Sequence, residues 1–361
     1  MYKERIKKLQ DTLKENGCDA MVVDDQTNLF YLTGLDLSAG TLIVDKESVN
    51  LGANLFVDGR YIAICKEKSP FPVFLSDTHP WHKALDRSVK KIAFDSDKTT
   101  YKGFENLKNK LSIDIIPLDG PLERLRGVKD KHEALLLKKA GELGSLGFDY
   151  VCSLLKTGIA EIEVARELEI FWKRKGATGT AFDPIIAFGK NSAMPHHRSS
   201  LTTLKQGDVV LIDIGVNLNH YRSDMTRTIS FGNAPSTIHK IHTVVQRAQK
   251  LGLDLCRPGT TLKELDVTVR EFIAKEGFGD YFTHGLGHGV GLDIHEFPPI
   301  RKPSTTGEYT FADIQLLPGM VITIEPGIYL DGVGGVRIED TVLITEQGHE
   351  NLTNRPKEFH L

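Results

Sequence analysis

Four carboxylates and one imidazole in the C-terminal half stand in short, distinctive settings. Asp213 lies in DVVLIDIG, Asp224 in YRSDMTRT, His288 in HGLGHGVGLDIHE, Glu325 in VITIEPGIY and Glu339 in GVRIEDTVLI. Carboxylates gathered at one point repel one another, and each tends to take up a proton. Two divalent cations would supply the compensating charge, so a two-metal centre is the natural way to hold these groups together. An oxygen-rich donor set with one imidazole and no cysteine suits Mn²⁺, Co²⁺, Fe²⁺ or Zn²⁺ rather than a structural zinc site.

The segments around these residues say how they are positioned. VVLIDIG is an apolar β-type run, TRTISFG a second one with polar alternation, and GVNLNHY between them has turn chemistry. A hairpin therefore brings Asp213 and Asp224, eleven positions apart, onto neighbouring strands. Asp213 could instead simply end a strand at a turn, but an aspartate among apolar residues is costly to bury unpaired. His288 stands in a run with four glycines, from Gly285 to Gly291, and glycine lets backbone approach a ligand or metal closely. Alone, such a histidine would be ordinary. Glu325 precedes Pro326–Gly327 and Glu339 follows GGVRI, which places both at strand ends or within strands. Thr226 and Arg337 each fall two residues from a carboxylate, on the same strand face.

At 361 residues, with 40% hydrophobic and 26% charged residues, the chain has material for two domains and an ample core. A net charge of −3 gives no reason to expect nucleic acid or an anionic membrane as partner. The charged start YKERIKKLQDTLKENG reads as an amphipathic helix, with Ile6, Leu9 and Leu13 on one face, rather than a signal sequence. Cys18, Cys65, Cys152 and Cys256 show no paired spacing, so reduced thiols in a cytoplasm are expected, with Cys18 and Cys65 buried and inert. AMVV, TLIVD, NLFVD, PVFL, KIAFD and IDIIPLD read as strands alternating with helices, one near 60–67, and so as an α/β domain with a mixed sheet. The charged segment after Leu122 is expected to lead into a helix with Ala134, Leu135, Leu137 and Ala140 on its apolar side. Further helices are expected at about 161–175, 236–256 and 261–276, with domains spanning 1–125 and 126–361.

Taken in order, the five motifs resemble the pita-bread metallopeptidases (methionine aminopeptidase, aminopeptidase P and prolidase) over roughly residues 130–350. TNLFYLTGL (27–35) and FVDGRY (56–61) resemble the creatinase-like N-terminal domain of aminopeptidase P and prolidase, which bacterial-type methionine aminopeptidases lack. The resemblance implies a pseudo-twofold in the catalytic domain, though no repeat is visible in the letters. It implies that Asp213 chelates one metal, that Asp224 and Glu339 bridge both, and that His288 and Glu325 complete the second. It further implies that His196 and His295 hold the substrate carbonyl and the tetrahedral intermediate, with His197 facing solvent. His284, Thr226 and Arg337 would support the ligands or the substrate. Such a centre activates water and polarises the scissile carbonyl, and Glu325 is the candidate proton shuttle to the leaving nitrogen.

The activity implied is release of the N-terminal residue from Xaa-Pro peptides, with Xaa-Pro dipeptide cleavage as the alternative. A dipeptidase needs a cation for the free carboxylate. Prolidases resembling this chain carry an arginine close after the HE pair, whereas here the first basic residues are Arg301 and Lys302, a departure that favours the aminopeptidase. The polar stretch 300–311 is expected to be a mobile insertion that carries specificity. A homodimer acting on proline-containing peptides, with no nucleic acid or membrane partner, completes the expectation. A metal-free peptide-binding module, or metal-free hydrolysis of the creatinase kind, is the remote alternative, against which all five ligand positions are intact.

Overall fold

The computed structural model describes residues 1–47, 52–301, 311 and 313–360. The chain divides into two compact units, Met1–Arg126 and Gly127–Leu361. Most of the stretch 300–311, Lys302 included, lies outside the described residues.

The first unit is built on a six-stranded mixed sheet in the order 73–75, 53–57, 41–45, 20–23, 91–95, 114–118. Ala20–Val23 pairs parallel with Lys91–Asp95 and antiparallel with Thr41–Asp45. The apolar runs read from the sequence are these strands, and the central Ala20–Val23 is buried along its whole length, as a strand covered on both faces is. Helix Tyr2–Glu15 buries Ile6, Leu9 and Leu13 as its spacing predicts, and Gly17 takes the positive φ of 63° that follows its end. The helix expected near 60–67 is Ile62–Lys68. Cys18 and Cys65 are fully buried free thiols, and burial raises both above the ordinary thiol range.

In the second unit, two pairs of helices each back an antiparallel sheet. Lys131–Leu154 and Glu161–Arg174 pack through Leu143, Val151, Leu168 and Trp172 onto the sheet 185–188, 208–214, 225–231. Ser236–Leu255 and Leu262–Lys275 pack through Ile241, Val245, Val269 and Ile273 onto the sheet 296–300, 287–289, 321–324, 340–345, 348–351. Strand alternation then decides what lies on the other face. In Asp208–Ile214, Val210, Ile212 and Ile214 point to the helices, so Asp213 points away from them. In Met225–Phe231, Met225 and Ile229 face the helices, while Thr226, Thr228 and Ser230 form a polar row on the opposite side. Among the described residues, no helix is long and apolar enough to cross a membrane.

One helical face departs from the expectation. Leu137 and Ala140 are buried in Lys131–Leu154, but Leu135 is about half exposed. The packed side is instead lined by Gly141, Gly144 and Gly147. A Cβ at Gly144 would stand 2.6 Å from Ser223 Oγ, so glycine is what allows the helix to lie against the segment holding Asp224.

Candidate metal centre

The expected hairpin forms. Strand 208–214 pairs antiparallel with 225–231, with Asp213 opposite Thr226. The chain between them turns back at Asn219 and His220, whose φ angles of 51° and 70° are the left-handed values a tight hairpin turn requires. Asp224 sits one residue before the second strand. The other three residues arrive on different strands: His288 on Gly287–Gly289, Glu325 just after Val321–Ile324, and Glu339 between Gly334–Arg337 and Asp340–Thr345. An antiparallel bridge between Thr226 and Glu339 joins the first sheet to this second group.

Four carboxylates and the imidazole line one cavity of about 820 Å³. Asp224, His288 and Glu339 place ligand atoms within 4.8 Å of one another. His288 Nε2 stands 3.6 Å from Asp224 Oδ2 and 3.5 Å from Glu325 Oε1. Burial, then the Glu339 and Asp213 carboxylates, holds Asp224 well above the ordinary carboxylate range. Glu325 is raised in the same way by burial and Glu339, and Glu339 is pushed up to about 8 by burial and Asp213. Burial and His295 lower His288 to about 4, which keeps its imidazole neutral and able to ligate. Asp213 Oδ1 is buried without a hydrogen-bond partner. A buried oxygen with no donor, among carboxylates that repel one another and beside a neutral imidazole, fits a cationic occupant.

The supporting groups are equally specific. Thr226 Oγ1 donates to Glu339 Oε2 at 2.7 Å. Arg337, buried and so removed from any surface role, donates to Asp213 Oδ2 and to Tyr329 Oη, the latter at 2.6 Å. His284 Nδ1 faces the Gly285 carbonyl at 2.7 Å, and its Nε2 meets Tyr329 Oη at 2.8 Å. Burial and Arg337 lower His284 to about 3, so it is neutral and accepts from the tyrosine hydroxyl. Arg337, Tyr329 and His284 thus form one chain behind Asp213. Sequence reading missed Tyr329, whose only signal is its place four residues after Glu325.

His196 and His295 are both exposed into the cavity, and the His295 ring lies 4.3 Å from that of His288, edge to face. His197 does not face solvent as expected: its side chain is 9% exposed and its Nε2 binds Glu161 at 2.8 Å. The glycines around His288 also serve a different end. A Cβ at Gly287 would lie 2.0 Å from the Thr323 carbonyl and one at Gly289 2.3 Å from that of Phe297, so they admit neighbouring strands rather than a metal. Arg166, Glu169, Asp183, Arg198, Ser199 and Arg301 complete the polar lining, and of these only Arg301 was singled out from the sequence.

The chain's similarities agree with this arrangement. It is 38% identical to the Xaa-Pro dipeptidase of Pyrococcus furiosus over 359 residues, covering 99% of each. An Xaa-Pro dipeptidase structure from Bacillus anthracis superposes with a TM-score of 0.92 at 33% identity, covering all of both chains. An X-Pro aminopeptidase structure from Thermotoga maritima matches at 32% identity and a TM-score of 0.84, over 96% of this chain and 98% of that one. Residues 5–128 match the creatinase/prolidase N-terminal domain. Residues 136–346 match metallopeptidase family M24, and with its mixed-sheet first unit and pita-bread second unit the chain belongs to that family of metal-dependent hydrolases.

Proposed function

We propose that the chain is a dinuclear-metal Xaa-Pro dipeptidase. The observation that carries this reading is that Arg301 lines the same cavity as the carboxylate and histidine cluster, where a guanidinium could grip a dipeptide's free carboxylate. Relatives named Xaa-Pro dipeptidase, alike over essentially the whole length, favour it over the aminopeptidase expectation. The position of the first basic residue, six beyond His295, does not keep it from the site.

Asp213, Asp224, His288, Glu325 and Glu339 would hold two divalent cations, Mn²⁺ first, with Co²⁺, Zn²⁺ or Fe²⁺ also suited to the donors. When bound, the metals supply water activation and carbonyl polarisation. His196 and His295 donate hydrogen bonds to the substrate carbonyl oxygen as charge develops on it. Glu325 passes a proton to the leaving nitrogen. At an Xaa-Pro bond that nitrogen carries no hydrogen, so recognition falls to the shape of the cavity and to charges at the substrate's ends. Proline-containing peptides, a cytoplasmic setting and a homodimer belong to the same reading.

An aminopeptidase reading keeps one observation in its favour, namely a cavity roomier than two residues fill. Hydrolysis of Ala-Pro, Ala-Pro-Ala and a longer Xaa-Pro peptide with Mn²⁺ or Co²⁺ separates the two. Preference for Ala-Pro, with Arg301→Ala raising its KM about tenfold or more at little change in kcat, supports the dipeptidase. Cleavage of the longer peptides with poor use of Ala-Pro establishes the aminopeptidase.

A further inference from the structure

The wall of the cavity that carries His196 is built on a carboxylate outside the cluster. Glu161 opens the helix Glu161–Arg174, and its side chain is wholly hidden from solvent. Its Oε1 accepts from the Phe188 amide at 2.8 Å and from Asn191 Nδ2 at 2.9 Å. Its Oε2 accepts from His197 Nε2 at 2.8 Å, the Ser200 amide at 2.9 Å and the Ser200 hydroxyl at 2.7 Å. Burial pushes the Glu161 carboxyl up, but the bonds from His197, Asn191, Phe188 and Ser200 outweigh it and hold it below the ordinary range. Donors drawn from residues 188 to 200 therefore converge on one buried anion, and His196 lies inside the stretch they span.

The other side of that stretch is tied to the cluster. Ser192 Oγ accepts from the Gly335 amide at 2.8 Å, and the Pro195 carbonyl accepts from Arg337 Nη2 at 3.4 Å. Arg337 is the residue that grips Asp213. The peptide just before His196 is thus held between a helix start and the strand behind the carboxylates.

We infer that Glu161, together with His197, is a positioning residue that fixes where the His196 imidazole stands relative to the carboxylate cluster. The inference rests on the role proposed above for His196. An anion suits this task because hydrogen bonds to an ionised acceptor are the stronger and more directional ones. Glutamine would keep the shape, yet its amide NH₂ would confront donors where Glu161 presents an acceptor.

The test is steady-state kinetics on the Mn²⁺-loaded enzyme with Ala-Pro or, if that is poor, Ala-Pro-Ala. Glu161→Gln, His197→Ala and His196→Ala are measured singly, and each of the first two is also combined with His196→Ala. Glu161→Gln is expected to lower kcat about 10- to 100-fold, with KM changed by less than about threefold and metal content as in the parent. In the His196→Ala background the same change should cost less than about threefold, because the group it positions is gone. His197→Ala should lower kcat by a smaller factor, about three- to tenfold, and likewise lose its effect without His196. Unchanged kcat in Glu161→Gln, an equal loss in both backgrounds, or loss of metal in parallel with activity overturns the inference. Should Glu161→Gln fail to fold, the His197 pair decides by the same criteria. Full activity in His196→Ala alone would overturn the role given to His196, and this inference with it, a result separable from additivity at Glu161.

Discussion

Glu339 makes two connections at once: its backbone amide bonds the Thr226 carbonyl at 3.0 Å, and its carboxylate accepts from the Thr226 hydroxyl while facing Asp224 and His288. Glu339→Ala is therefore expected to remove at least one of the two metals and to cut activity by more than about 100-fold. Metal analysis beside a rate measurement checks this, and wild-type activity would exclude Glu339 from the site. Asp95, in the first unit, offers a separate test. It is buried, one of its oxygens has no hydrogen-bond partner, and burial pushes it up to about 6. A carboxyl raised in the folded state contributes stability below its unfolded value near 3.8, and that contribution is lost as pH rises through 6. Asp95→Asn should stabilise the protein by about 1–2 kcal/mol at pH 7 and have no such benefit at pH 4, as denaturant melts at the two pH values would reveal. Asp213 was legible in the letters because an acid inside an apolar strand needs a reason, and the other four through the short motifs that stand in order with it. Glu161 and Tyr329 were not, because their partners come from 27 to 39 residues away along the chain for the first and from His284 and Arg337 for the second.

The helix Lys131–Leu154 shows what pattern reading captures at the scale of an element. Its existence, and the strands that follow it, come through from apolar runs and turn residues, since those report burial directly. Which residues face inward comes through only in part: Leu137 and Ala140 are buried as read and Leu135 is not, while Gly141, Gly144 and Gly147 on the contact face carry no hydrophobic signal. Gly144→Ala would push a methyl group into Ser223 Oγ, which itself accepts the Val216 amide at 3.0 Å. The expected cost is about 1–3 kcal/mol of stability, with weakened metal affinity because Ser223 adjoins Asp224. Thermal melts and metal titration check both effects, and a variant melting with the parent would refute the close approach. His197 was misjudged for a related reason: nothing local marks its partner, which opens a helix 36 residues earlier.

Over the whole molecule, the carboxylate cluster belongs to one of two units, so ligand linkage should be felt unevenly. A cation present at a hundredfold excess over its Kd stabilises what binds it by about 2.7 kcal/mol. Chelation should therefore cost protection in strands 208–214 and 321–324 and leave strands 20–23 and 91–95 unaffected. Hydrogen exchange resolved by peptide reads this directly, and equal losses in both units would contradict it. The two-unit organisation was legible from composition and motif order, whereas the joining of two sheets through Thr226 and Glu339 depends on a bridge 113 residues long in sequence. The register of Asp213 opposite Thr226 has a consequence of its own. Slipping that ladder by one residue would turn Asp213 toward the helices and Ile212 or Ile214 toward the other carboxylates. Such a chain could remain compact yet would lack the anionic bowl, so cation uptake sorts correctly threaded molecules from near misses, and the metal stoichiometry of a preparation doubles as a count of chains whose strands are in step.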